Sequence, residues 1–296
     1  MTFRREVPGK VFLLGEYGVL GGGHALVATV ELKFQFEDVP GTAFHPDSPA
    51  GKWLSRAGEP LDRLRQSVVK RADGTSEILN SGGFGASTAQ FLAAHALTTG
   101  SPDFSEPGEV QQCWRDYRFI VEKKASGADL VAQAVGESVL VRIQGAGTSD
   151  EQLEWRNVDA VGLPILIFSV AHQEGRKIVT HEHLEGFNQK DPSWVQCLDA
   201  IVMSGVQAIK SNDFTAIGKC FTDFSRELRE KNLELKATTD DLTALSRVKG
   251  VLGAKGCDAL QADAIAVVYD SSDARNRDRI FDFAKMRDWK FVRDFG

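Results

Sequence analysis

The chain has 296 residues, 42% hydrophobic and 26% charged, with a formal net charge of -6, enough for one large core or two ordinary ones. No basic surplus is available to neutralise a phosphate backbone, so nucleic acid is not an expected partner. No apolar run approaches a membrane span, and the run at 11–14 behind Arg4 and Arg5 is too short for a signal peptide.

Alternation over residues 3–10, running into Val11-Phe12-Leu13-Leu14, predicts a strand that ends at Gly15-Glu16-Tyr17-Gly18. Val27, Thr29, Leu32, Phe34 and Phe36 predict a second strand over 25–36. Prolines at 40, 46 and 49 make 38–58 read as loop, and 61–69 reads as a short amphipathic helix. Gly82, Gly83 and Gly85 then fall within four positions, too much backbone freedom for a strand or a helix. They lead into residues 86–97, rich in alanine and leucine. A bending loop that ends at a helix N-terminus presents unpaired N–H groups and the positive end of the dipole, a ready phosphate site. The same residues also read as a glycine-rich turn with Ser81 or Ser87 capping the helix. Neither G-x-x-x-x-G-K-[ST] nor G-x-G-x-x-G spacing is present.

A helix is expected over 109–123. Ser126-Gly127-Ala128-Asp129 then forms a second turn into a helix, where the Ser or Asp side chain would cap. Strands are expected at 138–142 and 153–158, and the continuous apolar run 164–170 fits a buried strand. Helices over 192–210, 213–232 and 238–249, a strand over 263–269, a helix over 273–287 and a short last strand complete the chain. This order implies an α+β protein in two parts, residues 1–160 and 161–296. Cys113, Cys197, Cys220 and Cys257 are scattered with no C-x-x-C, which suits reduced, buried thiols in a cytoplasmic protein and argues against zinc.

With these elements placed, the run from Pro8-Gly9-Lys10 through Gly15-Glu16-Tyr17-Gly18 resembles the first motif of the GHMP small-molecule kinases, in particular the mevalonate and phosphomevalonate kinases. Gly83-Phe84-Gly85-Ala86-Ser87-Thr88 is similar to that family's second motif, G-L-G-S-S-A, with Ala86 replacing the first serine. Ser126-Gly127-Ala128-Asp129 resembles the segment that presents its catalytic aspartate. The resemblance implies an N-terminal domain like ribosomal protein S5 domain 2 and a ferredoxin-like C-terminal domain. It also implies transfer of the ATP γ-phosphoryl group, with Mg2+, to a small-molecule acceptor.

On that reading the catalytic residues are Lys10 and Asp129. Amides of Gly82, Gly83, Phe84, Gly85, Ala86, Ser87 and Thr88 hold the nucleotide, and Glu16, Tyr17, Ser126, Gly127, Arg176 and Lys177 serve the acceptor. Ser87 is a magnesium ligand. The family's second such ligand is a glutamate about a dozen residues before the aspartate; Arg118 stands there, so Asp116 is the candidate substitute. Trp53 lies between the first two motifs, where such kinases place the adenine. The third motif is eroded: glycines are missing from Lys255-Gly256-Cys257-Asp258-Ala259-Leu260-Gln261-Ala262-Asp263. His181 and His183 are spaced like a metal pair, but no further ligand is positioned by spacing, and an ordinary polar loop or helix start is the favoured reading.

Tyr17, where mevalonate kinases carry histidine, and Asp129-Leu130-Val131-Ala132 favour a phosphomevalonate-like acceptor. An alcohol acceptor such as mevalonate, and an idle GHMP-fold binding protein, are the competing readings. Neither a nucleic acid nor a membrane is an expected partner, and a homodimer is left open.

Overall fold

In the computed structural model, residues 3–41, 43–69, 83–100, 104–170, 191–258 and 264–296 are described. Two antiparallel sheets organise them. The first is built on the long strand β2, His24–Asp38, which pairs along one edge with β1, Arg4–Leu14. The other edge of β2 takes β3, Leu64–Val68, at residues 34–38 and β4, Val139–Gln144, at 24–27; β5, Gln152–Asn157, extends β4. The second sheet has the order β7-β8-β6-β9 from β6 Ile165–Ser169, β7 Val251–Cys257, β8 Ala264–Tyr269 and β9 Lys290–Asp294. Numbered within this half the order is 2-3-1-4, the ferredoxin-like arrangement.

The period of two explains the layering. Ile165, Ile167, Ala264, Ala266 and Val268 face the large core shared with the first sheet. Leu166, Phe168, Ile265 and Val267 face a smaller one with Ile280, Phe283 and Trp289. A strand buried on both faces must be apolar throughout, hence the unbroken run in β6.

The helices are α1 Pro49–Ala57, α2 Ala86–Thr99, α3 Pro107–Ile120, α4 Ala128–Val135, α5 Pro192–Ser211, α6 Phe214–Glu230, α7 Lys236–Leu245 and α8 Ala274–Met286. α2 and α4 pack on β1 and β2, and the turn into α2 is bonded to β1 at Lys10, in mid-strand. α5 meets the first sheet at His24, whose N–H and Nδ1 lie 2.7 and 2.8 Å from Asp199 Oδ1.

Four expectations are corrected. Residues 49–57 are helical rather than loop, because Pro49 occupies the first helical turn and Ser48 Oγ accepts from Gly51 N–H. Residues 64–68 form an edge strand rather than a helix: the short apolar spacing fits both periods, and pairing with Phe34–Asp38 decides. Residues 255–257, the start of the motif read as a loop over 255–263, are the end of β7 against β8. Cys197 is exposed, whereas Cys113, Cys220 and Cys257 are buried; all four are free thiols.

Candidate active site

Lys10 lies on β1 beside the entry to α2. Its N–H donates to Phe84 O at 3.1 Å, which ties strand to loop. Gly85 caps α2 at φ 82°, and a Cβ there would stand 2.9 Å from both Lys10 Cγ and Gln133 Nε2. Only glycine combines that dihedral with so close an approach. The first ladder bond of α2 runs from Ala89 N–H to Gly85 O, and no side chain caps the helix. Its leading amides, those of Ala86, Ser87 and Thr88, therefore head a helix dipole with no protein anion supplied by a cap. Ser87 is exposed in this first turn, while Thr88 is buried.

Asp129 stands in the first turn of α4, half-buried. It does not cap that helix: Gly127 does, at φ 71°, and Ser126 Oγ accepts from Ala128 N–H at 3.2 Å. Trp114 Nε1 donates to Ser126 O at 2.9 Å and fixes the turn from behind. Thr88 Oγ1 lies 3.3 Å from Asp129 Oδ2 and 2.5 Å from Gln133 Oε1. Gln133 Nε2 in turn donates to Pro8 O at 2.8 Å and Gly85 O at 3.2 Å. One amide thus joins β1, the glycine turn, α2 and α4. The signal for it was available, since Gln133 follows Asp129 by four residues and shares its helix face.

Across from these groups comes the second sheet. Asp258, directly after β7 at φ 67°, pairs through Oδ1 with Lys10 Nζ; the two residues are 8% and 5% exposed. Burial raises the Asp258 pKa, Lys10 opposes the rise, and the Asp129 charge adds to it, so the three form one electrostatic group. Asp258 Oδ2 is buried with no hydrogen-bond partner among the described residues. Nearby, Lys255 Nζ lies 2.5 Å from Glu16 Oε1 and 3.2 Å from Phe12 O. Burial pushes the Cys257 thiol up to about 12, so it is neutral at physiological pH.

The remaining candidates sit as follows. Glu16 is engaged by Lys255 in the interior rather than offered to a ligand, and Tyr17 is 6% exposed with φ 64° at the turn before Gly18. Asp116, the candidate second magnesium ligand, stands on α3 against α2. It bonds His95 Nε2 at 3.0 Å and Gln112 at 3.1 Å, and His95 lies eight residues along α2 from Ser87, about 12 Å of helix. Arg118, in place of the family's glutamate, is buried and donates to Lys123 O, Ala125 O and Glu151, bracing the approach to Ser126. Trp53 stacks on His95 at 4.9 Å and donates to Thr98, so it belongs to the packing of α1 on α2. Gly82, Arg176, Lys177, His181 and His183 lie outside the described residues. Sequence reading missed Gln133 and the pairing role of Asp258.

The sequence matches no family model and no curated protein. The structure does match solved proteins over nearly their whole length. Mevalonate kinase of L. major is 16% identical with a TM-score of 0.65, covering 99% of this chain and 96% of that one. Streptococcus pneumoniae phosphomevalonate kinase in complex with phosphomevalonate and AMPPNP is 15% identical at 0.70, covering 98% of each. The fold is that of the mevalonate and phosphomevalonate kinases. Methanococcus jannaschii mevalonate kinase shares this kinase fold too, at 14% identity and 0.68, covering 99% of this chain and 98% of its own. Among the described residues no helix is long and apolar enough to cross a membrane.

Proposed function

We propose that this protein transfers the γ-phosphoryl group of ATP to a small mevalonate-type acceptor, with phosphomevalonate the favoured one. The observation that carries the reading is the convergence on one spot of the uncapped α2 N-terminus, Lys10 and Asp129, linked through Thr88 and Gln133. Phosphoryl transfer needs mostly positioning and charge stabilisation, and that is what these parts supply.

Amides at 83–88 bind the phosphates at the positive end of α2. The Lys10 ammonium offsets charge on the migrating group and orients Asp129. Asp129 accepts the proton of an alcohol acceptor, or holds a phosphate acceptor in line. A phosphomonoester, with a second pKa of about 6, is already largely anionic at neutral pH and needs a base less. Magnesium would find a hard oxygen donor in the exposed Ser87 hydroxyl, in the first turn of α2. When bound, it neutralises charge on the nucleotide phosphates. Every other task falls to the chain's own groups.

The similarity to a phosphomevalonate kinase holding phosphomevalonate and AMPPNP supports the choice of both substrates. Coupled ADP release with mevalonate and with phosphomevalonate tests it. Faster turnover on phosphomevalonate is expected, and the reverse preference would transfer the reading to an alcohol acceptor. Calorimetric titration with MgATP separates both from an idle binding protein, which would show no nucleotide binding.

A further inference from the structure

Asp258 closes the eroded third motif, directly after the positions 255 and 257 where glycines are replaced, and it puts a carboxylate beside the proposed triphosphate site. Its contact explains its presence. We propose that Asp258 is the positioning residue for Lys10: from the end of β7 it fixes the Lys10 ammonium of β1 between the N-terminus of α2 and Asp129. This deepens the phosphoryl-transfer reading and rests on it for its role in turnover.

The geometry favours a device over an incidental ion pair. The stem of Lys10 runs close past Gly85, where an added Cβ would lie 2.9 Å from Lys10 Cγ. At its tip the ammonium lies 5.0 Å from the Phe12 ring centroid and against Asp258 Oδ1. A lysine is a flexible four-carbon stem with a point charge, and a single buried carboxylate removes most of its rotamer freedom. The pair also bridges the two sheets, so the position of Lys10 depends on β7 standing in register with β8, where Cys257 pairs with Ala264.

Among the described residues, charged and titratable neighbours stand on each side. Asp129 approaches from α4, Glu16 from the end of β1, and Lys255 and Cys257 from β7. Glu16 and Lys255 are paired with each other and Cys257 stays neutral, while Asp258 is a carboxylate in direct contact with the Lys10 ammonium. Without Asp258 a lysine only 5% exposed loses its buried counter-charge and is pulled towards the neutral amine.

The test is competitive acylation of the full chain with trace acetic anhydride across a pH series, read at Lys10 by mass spectrometry, together with the pH profile of ADP release. In the wild type, Lys10 is expected to titrate at or above the ordinary lysine value of about 10.4. In Asp258→Asn its apparent pKa should fall by about one unit or more, the alkaline limb of the profile should move down with it, and kcat should drop about 10- to 100-fold. Asp258→Glu should restore the pKa and part of the rate. A wild-type Lys10 that titrates below about 9 would overturn the proposal even if Asp258→Asn failed to fold. So would a folded Asp258→Asn with the Lys10 pKa and the pH profile both unchanged. If the wild type turned over no acceptor, phosphoryl transfer would fall while the labelling still decided whether Asp258 holds Lys10.

Discussion

Lys255 and Glu16 form a buried ion pair across the two sheets, Nζ to Oε1 at 2.5 Å, with exposures of 0% and 5%. Burial works against the ammonium, yet the Lys255 pKa is raised, because Cys257 and the Glu16 carboxylate outweigh it. Glu16 Oε2 has no hydrogen-bond partner, so Glu16 depends on Lys255 for its compensation. Lys255→Met should therefore destabilise the protein by about 3–5 kcal/mol in urea unfolding, the cost of an uncompensated buried charge. The double variant Lys255→Met/Glu16→Gln should recover most of it. A loss of under about 1 kcal/mol in the single variant would contradict the burial of this pair.

Gly85→Ala is expected to damage both the fold and the site. The left-handed dihedral costs a non-glycine residue about 1 kcal/mol, and the new methyl would press on Lys10 and Gln133. MgATP affinity should fall at least about tenfold, since Lys10 and the α2 amides move together. Retained affinity in calorimetry would show that the turn does not shape the phosphate site.

Asp129→Asn separates the two acceptors. With an alcohol the loss should be about 10²-fold or more in kcat, because a base is removed. With a phosphate acceptor already anionic the loss should be only a few-fold. Equal loss on both acceptors would refute that division of labour. Lys10→Ala should slow either reaction by about 10²-fold, and unchanged ADP release would remove Lys10 from the site.

His95 supplies a pH dependence of stability. It is 3% exposed, its Nδ1 is buried without a partner, and burial lowers its pKa against the opposing pull of Asp116. The unfolded chain, with a histidine near about 6.5, thus takes up the proton first. Stability from this group is complete above that value and lost as pH falls towards the folded pKa. The urea midpoint should drop between pH 7 and pH 5, and should drop less in His95→Gln. A larger acid-induced loss in the variant would reverse the assignment.

Local physics was legible in the chain. The alternation of β2, the apolar run of β6 and the glycine-to-helix junction at 83–88 each depend on neighbours in sequence, so periodicity and backbone freedom exposed them. The errors arose where local signals were ambiguous: the same apolar spacing at 61–69 suits a strand, and Pro49 can end a loop or begin a helix. For Asp116, a plausible oxygen ligand by spacing alone, the bonding partner is His95 on another helix, which spacing does not show.

The residues themselves determined that this is an α+β chain whose first half carries a glycine turn into a helix terminus, because those properties are written within a few positions of one another. Only the folded chain decided that Lys10 meets Asp258, 248 positions away, and that Lys255 closes on Glu16 rather than facing a ligand. Such pairings form when separate sheets pack and exclude water. A buried charge must then find its opposite among whatever the packing brings near, and sequence spacing has no bearing on that choice.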